Sequence, residues 1–204
     1  MAKPETSNLR ENLLETARKL LLQKGYRGFS LREVARETGV SATSVYLHFE
    51  SKDHLIHTLM EASIGDLNQR LKKVYATISN PVDRLEHFAK TYANYALEHP
   101  REYQIIYVAG SEEMSRYPQE KFREAREGYE LLTDTIQEAA NMNLLSESNP
   151  RTAAYTFWAQ LHGVMSVVLS KRLDTRINQQ KFIEQAISHI LHGFHVRTAL
   201  QPQK

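Results

Sequence analysis

Between Ser41 and His48 the chain sets out Ser41, Ala42, Thr43, Ser44, Tyr46 and His48, interrupted only by Val45 and Leu47. These side chains are small or carry hydrogen-bonding groups, and no glutamate or lysine stands among them before Glu50. A solvated helix face usually carries charge. A face of hydroxyls, a methyl and an imidazole instead suits close approach to base edges and phosphate oxygens. Ser30 and Lys52 extend the set on either side. Lys52 opens an expected helix, where a cation opposes the helix dipole by about 0.3–1 kcal/mol. A phosphate at that helix end would reverse the sign, although an ordinary surface lysine accounts for Lys52 equally well.

Other chemistry is sparse. The chain has no cysteine, which removes disulfides, thiolate zinc sites and cysteine nucleophiles together. No phosphate-cradling loop, dinucleotide-binding glycine pattern or His-Glu-x-x-His occurs. Gly39-Val40-Ser41-Ala42-Thr43 lacks the second glycine and the preceding strand of a nucleophile elbow. An all-α enzyme is the remote alternative; no catalytic residue and no cofactor are expected. His189, His192 and His195 follow at three-residue steps, but no neighbouring Asp, Glu or Cys completes a ligand set, so no metal is expected.

The elements that must hold these residues are helices. Of 204 residues, 41% are hydrophobic and 25% charged, the composition of one or two globular domains. No apolar run is long enough to span a bilayer, and Met1–Arg10 lacks the apolar region of a secretory signal. A cytoplasmic location and no membrane partner are expected. The formal net charge is +2, an excess that residues 1–60 carry and that permits a nucleic-acid partner without demanding one. Helical periodicity dominates and no stretch alternates as a strand, so the fold is expected to be all-α, with about nine helices. Their expected spans are 9–24, 30–39, 41–49, 52–77, 81–98, 100–109, 118–141, 150–172 and 178–198. Pro81, Pro100, Pro118 and Pro150 stand at helix starts, where a missing N–H costs nothing.

Ser30-Leu31-Arg32-Glu33 reads as a capping box, and Gly39 supplies the tight turn before the helix that starts at Ser41. Leu31, Val34 and Ala35 face Val45 and Phe49 across that turn. This spacing fits a helix-turn-helix, whose second helix enters the major groove; spacing alone fits an αα-hairpin equally well.

Phe29-Ser30-Leu31-Arg32-Glu33-Val34-Ala35, Gly39-Val40-Ser41 and Val45-Tyr46-Leu47-His48-Phe49-Glu50-Ser51-Lys52 follow a Gly25-Tyr26-x-Gly28-Phe29 turn. Together they resemble the TetR family of transcriptional regulators over residues 8–57. The resemblance implies a three-helix helix-turn-helix head, residues 1–50, joined to a helical ligand-binding and dimerisation domain, residues 51–204. It implies a homodimeric repressor on a palindromic double-stranded DNA operator, released by a small, mostly apolar or aromatic effector. Carried over by position, Ser41, Ala42, Thr43 and Ser44 face bases, and Ser30, Tyr46, His48 and Lys52 hold phosphates. Ser30 stands where the family commonly has threonine, and Leu47 replaces an often polar or aromatic residue, which leaves its role open. The Trp158-x-x-x-His162-Gly163 run resembles a Trp-His-Gly signature of one group within the family.

In the second domain, Tyr92, Tyr95, Tyr103, Ile106, Tyr107, Met114, Phe122, Tyr129, Phe157, Trp158, His162 and Met165 are the candidate ligand-pocket residues. Tyrosines buried in such number need partners, which favours an apolar cavity with a few hydroxyls over a plain core. His162 reads as a hydrogen-bonded core residue or a polar contact in that pocket. Helix 150–172 is apolar nearly all round, so it must be covered on two sides. The expected dimer interface takes Gly163, Val164 and Val167 from it, and Ile183, Ile187, Ile190, Leu191 and Phe194 from the last helix, closed by C2 symmetry. Gly163 costs about 1 kcal/mol against alanine, which suggests a close backbone approach. The helix from 52 to 77 links head and body and is the expected lever. A body that only dimerises or binds protein, without an effector, is the alternative.

Overall fold

The computed structural model describes residues 6–108 and 122–195, with side chains for 8–106 and 126–194. Among the described residues there are nine helices and no strand. They are α1 (Thr6–Lys24), α2 (Leu31–Thr38), α3 (Ala42–Tyr46), α4 (Lys52–Thr77), α5 (Pro81–Glu98), α6 (Pro100–Val108), α7 (Phe122–Asn141), α8 (Pro150–Leu169) and α9 (Gln179–His195). The expected positions 118–121 and 196–198, and the connection at 110–117, lie outside the described residues.

Local chemistry sets most helix ends. Ser30 caps α2 by accepting the Glu33 N–H at 3.3 Å, and Gly39 closes it with φ +71°. The Glu33 carboxylate pairs with Lys24 at 2.7 Å and Arg36 at 3.0 Å. Asn80 and Asn149 cap the proline-led α5 and α8. Beyond α1, which starts at Thr6 and so three residues early, two helices stop short of expectation. α3 stops at Tyr46 because the His48 and Phe49 N–H groups both turn onto the Val45 carbonyl at 3.0 Å, which swings Phe49 into the core. α8 stops at Leu169 because Ser170 ends it and Lys171 adopts φ +56°.

The described residues form two compact units. The first runs to Gly65 and also takes in α6 from Arg101 and the start of α7. Its core joins Leu13, Ala17, Leu20 and Leu21 of α1 to Leu31, Val34, Val45 and Phe49, and is completed by Leu55, Ile56 and Leu59 of α4 and Ile105 of α6. A division after residue 50 therefore falls too early. The first turns of α4 bury three large side chains in the head, each contributing about 1.5–3 kcal/mol.

The second unit holds Asp66–Pro100 and the described residues from Ala125 onward. Here α5 packs on α8 and α9, and α8 on α9. Buried Arg84 ties three segments together: Nη1 pairs with Glu138 at 2.6 Å, Nε donates to the Ile78 carbonyl at 2.8 Å, and the guanidinium lies over the Tyr75 ring. Gly128 of α7 makes a close approach to α4, since a Cβ there would stand 2.8 Å from Asn68 Oδ1.

Candidate nucleic-acid interface and effector site

The first unit presents α3 outward. Val45 and Phe49 are wholly buried, while Thr43, Tyr46 and Leu47 are exposed on the opposite side. Ser41 is the N-cap: its Oγ accepts the Ser44 N–H at 3.1 Å and lies 2.8 Å from Ser44 Oγ. One hydroxyl hydrogen is spent between the two serines, and the other stays available to a ligand. Ala42 is half-buried and packs against the head core, so its methyl is only partly presented. Ser30 is exposed at the head of α2, and His48 is half-buried beside Phe49.

Lys52 reaches back to the turn between α1 and α2. Its Nζ donates to the carbonyls of Tyr26 and, at 2.8 Å, Phe29, and lies 4.3 Å and 4.4 Å from the centroids of those two rings. The Tyr26 hydroxyl donates to Asp53 Oδ1 at 2.6 Å. The cation at the α4 N-terminus is thus answered by two backbone carbonyls and two aromatic faces of the α1–α2 turn. The same turn explains Gly28, where a Cβ would sit 2.2 Å from the Lys24 carbonyl oxygen. Sequence reasoning missed this latch because Lys52 and Tyr26 are 26 positions apart.

In the second unit, part of the candidate pocket assembles. Tyr92 of α5, Tyr129 of α7, and Trp158 and His162 of α8 come together. His162 Nδ1 is 3.4 Å from the Tyr92 hydroxyl, the Trp158 and His162 rings stack at 5.2 Å, and Tyr129 meets Trp158 edge-on at 5.4 Å. Tyr155, absent from the expected set, stacks on Tyr129 at 5.3 Å and is 59% exposed. Other candidates are close-packed core. Tyr95, Phe157 and Met165 are essentially inaccessible, with Phe157 edge-on to Phe194 and Tyr95 against His99. Tyr103 is buried and Ile106 half-buried on α6, in the first unit. The side chains of Tyr107, Met114 and Phe122 lie outside the described residues.

Burial holds the His162 imidazole below the usual histidine pKa. The unfolded chain then binds a proton that the folded one refuses, so this residue's contribution is complete above the unfolded pKa and is lost as pH falls from there through the folded value. The expected result is that His162→Gln loses stability less steeply than wild type as pH falls below about 6.5. Urea melts across that range measure it, and parallel curves would show that His162 is not held neutral.

Ile183, Ile187, Ile190 and Phe194 are 4–6% exposed, and α9 packs on its own chain's α5 and α8, so most of the cover on this stripe comes from within the chain. Leu191 is half-buried. Leu191, Ile183 and Ile187 border an open groove of about 440 Å³ between α5 and α9, shared with Glu86, Lys90, Asn94 and Glu184. On α8, Val164 is half-buried, and Gly163 and Val167 are exposed. Among the described residues, and apart from its own helix's backbone and its chain neighbours, nothing lies within 4 Å of a Cβ built on Gly163. The histidines of α9 are likewise outward: His189 is exposed, and His192 Nδ1 lies 2.7 Å from its own-turn Ser188 carbonyl. The His195 side chain lies outside the described residues. No described helix is long and apolar enough to cross a membrane.

Known proteins share this geometry. Residues 13–59 match the family described as bacterial regulatory proteins, tetR family, and residues 85–190 match the tetracyclin repressor-like C-terminal domain. The HTH-type transcriptional repressor KstR2 of Mycolicibacterium smegmatis is 26% identical over 137 residues, 66% of each chain. The match to its Mycobacterium tuberculosis counterpart spans 60% of each, so the chain aligns with less than two thirds of these repressors' length. Among solved structures, a protein from Rhodococcus sp. RHA1 superposes with a TM-score of 0.74 at 24% identity, covering 91% of this chain and 95% of that one. AibR, solved in complex with isovaleryl coenzyme A and operator DNA, superposes with a TM-score of 0.69 at 18% identity, covering 88% and 96%. The head and the body each match in their own right, and the chain belongs to the TetR family of bacterial transcriptional regulators.

Proposed function

We propose that this regulator is a homodimeric repressor that holds a palindromic operator and is released by an acyl thioester or aromatic acid bound in its second unit. The observation that carries the DNA half is the outward face of α3, where Ser41, Thr43 and Tyr46 stand clear of the core with no acidic side chain among them. Ser41, Ala42, Thr43 and Ser44 are the candidate base contacts, and Ser30, Tyr46 and His48 the phosphate contacts. Lys52 then acts by fixing the turn behind them.

The cluster of Tyr92, Tyr129, Trp158 and His162 supports the effector half. It offers aromatic faces for an apolar group and a neutral imidazole for a carbonyl oxygen. AibR is a fold relative solved with isovaleryl coenzyme A, which motivates the thioester class. A partner would cover α8 along Ala159, Gly163 and Val167, which recur every fourth residue and are all exposed. Effector and operator would then compete through a population shift, with α4 as the continuous link in the chain.

A second interpretation has its own support. Tyr95, Phe157 and Met165 line no open space, as a body that only dimerises would require. One experiment separates the two. Duplexes are selected from a random library at fixed low salt, and the enriched site is titrated with and without isovaleryl coenzyme A and benzoate. The repressor reading expects a palindrome and an effector-dependent weakening of about 5- to 150-fold. A bound palindrome indifferent to both compounds would favour the dimerising body, and no enriched duplex would remove the DNA half.

A further inference from the structure

Leu47 is 82% exposed, more than any other large apolar side chain among the described residues. It is not a loose residue. It continues the helix with φ −67° and ψ −23°, and its N–H is bonded to the Thr43 carbonyl at 3.1 Å. The next two N–H groups are fastened to Val45, and Phe49 is sealed in the core. The backbone therefore fixes the direction in which Leu47 points.

That direction follows from the helical step of about 100° per residue. With Val45 taken as the inward direction, Thr43 and Leu47 lie on either side of the outward pole. Tyr46 and Ser44 lie on the flanks. A helix seated in a major groove turns its pole to the base edges and its flanks to the phosphate walls. Leu47 thus stands where bases are read, one turn beyond Thr43, and it has no hydrogen-bonding group with which to read them. The apolar feature that B-DNA offers in the major groove is the thymine C5-methyl.

Resting on the DNA-binding reading above, we propose that Leu47 is a specificity-determining residue that packs on a thymine C5-methyl, at a symmetric position of each half-site, neighbouring the base pair reached by Thr43. The isopropyl end of leucine fills the groove wall there and excludes water from the methyl, and it discriminates against cytosine, which has no methyl at that edge.

The test removes only the methyl. In the duplex selected by the wild-type protein, each symmetric pair of thymines is replaced in turn by uracil. One pair is expected to weaken wild-type binding about tenfold, the effect of exposing two methyl groups. Leu47→Ala is expected to bind the thymine duplex about tenfold more weakly and to be indifferent to that same uracil replacement. Its thermal melt should match wild type, because the side chain touches little of its own chain. The proposal fails if no uracil replacement matters, or if the loss persists undiminished in Leu47→Ala. A change in oligomeric state in Leu47→Ala, with operator affinity retained, would make the leucine a protein contact and overturn it as well. If the wild-type chain selects no duplex, the DNA-binding reading itself has failed and the proposal goes with it.

Discussion

Val167→Glu is expected to reduce operator affinity about 10²- to 10⁴-fold while leaving both units folded. Val167 is 37% exposed near the end of α8, and glutamate is a better helix former than valine, so the substitution costs the isolated chain little. Its effect arises only when two copies meet. At a twofold axis the same residue is presented from both sides, and two carboxylates would be desolvated near one another. Dimers part, and the two heads no longer share one effective concentration on the palindrome. Sedimentation velocity reads the first step, and titration of full and half operators reads the second. The variant should bind both duplexes alike, with the affinity that wild type shows for the half-site. A variant that sediments as a dimer and binds the full site like wild type would remove α8 from the interface.

The choice of Val167 shows where sequence patterning stops. A stripe of Ile183, Ile187, Ile190 and Phe194 announces that one face of α9 is buried, and it is. Periodicity cannot say by which neighbour, and α5 and α8 of the same chain supply most of the cover. The small residues Ala159 and Gly163 leave a weaker mark in a hydrophobicity pattern, although Gly163 was legible as a glycine that a helix would not choose on propensity alone. The pocket has the same ambiguity. Tyr92 and Tyr95 are equally good candidates three positions apart; the first meets His162 and the second packs on His99. What was legible is what local chemistry determines: the Ser30, Asn80 and Asn149 caps, the Gly39 turn, and the order of helices around them. These interactions span two to four residues, within reach of a short motif. The charged contacts that fasten distant segments, Arg84 to Glu138 and Lys52 to the 26–29 turn, leave no such trace.

Lys52→Ala tests the second of those contacts, and two roles for this lysine predict opposite results. As a latch, it donates charge-assisted hydrogen bonds to the carbonyls of Tyr26 and Phe29 and lies against both rings. Its removal leaves two half-buried carbonyls without their donor and is expected to cost the first unit about 2–4 kcal/mol. As a phosphate ligand, its removal would leave the melt alone and make the salt dependence of operator binding shallower. The slope of log affinity against log salt would drop by about 0.9 for each phosphate no longer neutralised, and so by nearly two for a dimer. We expect the latch to dominate, because the ammonium already has two carbonyls and two aromatic faces around it. The expected outcome is therefore a lowered melting temperature with an unchanged salt slope, measured at a temperature where both proteins are folded. Tyr26→Phe, which deletes only the hydroxyl donated to Asp53 at 2.6 Å, should shift the melt in the same direction by about 1 kcal/mol. A shallower slope with an unshifted melt would return Lys52 to the DNA backbone and leave the turn to its other contacts, Tyr26 to Asp53 among them.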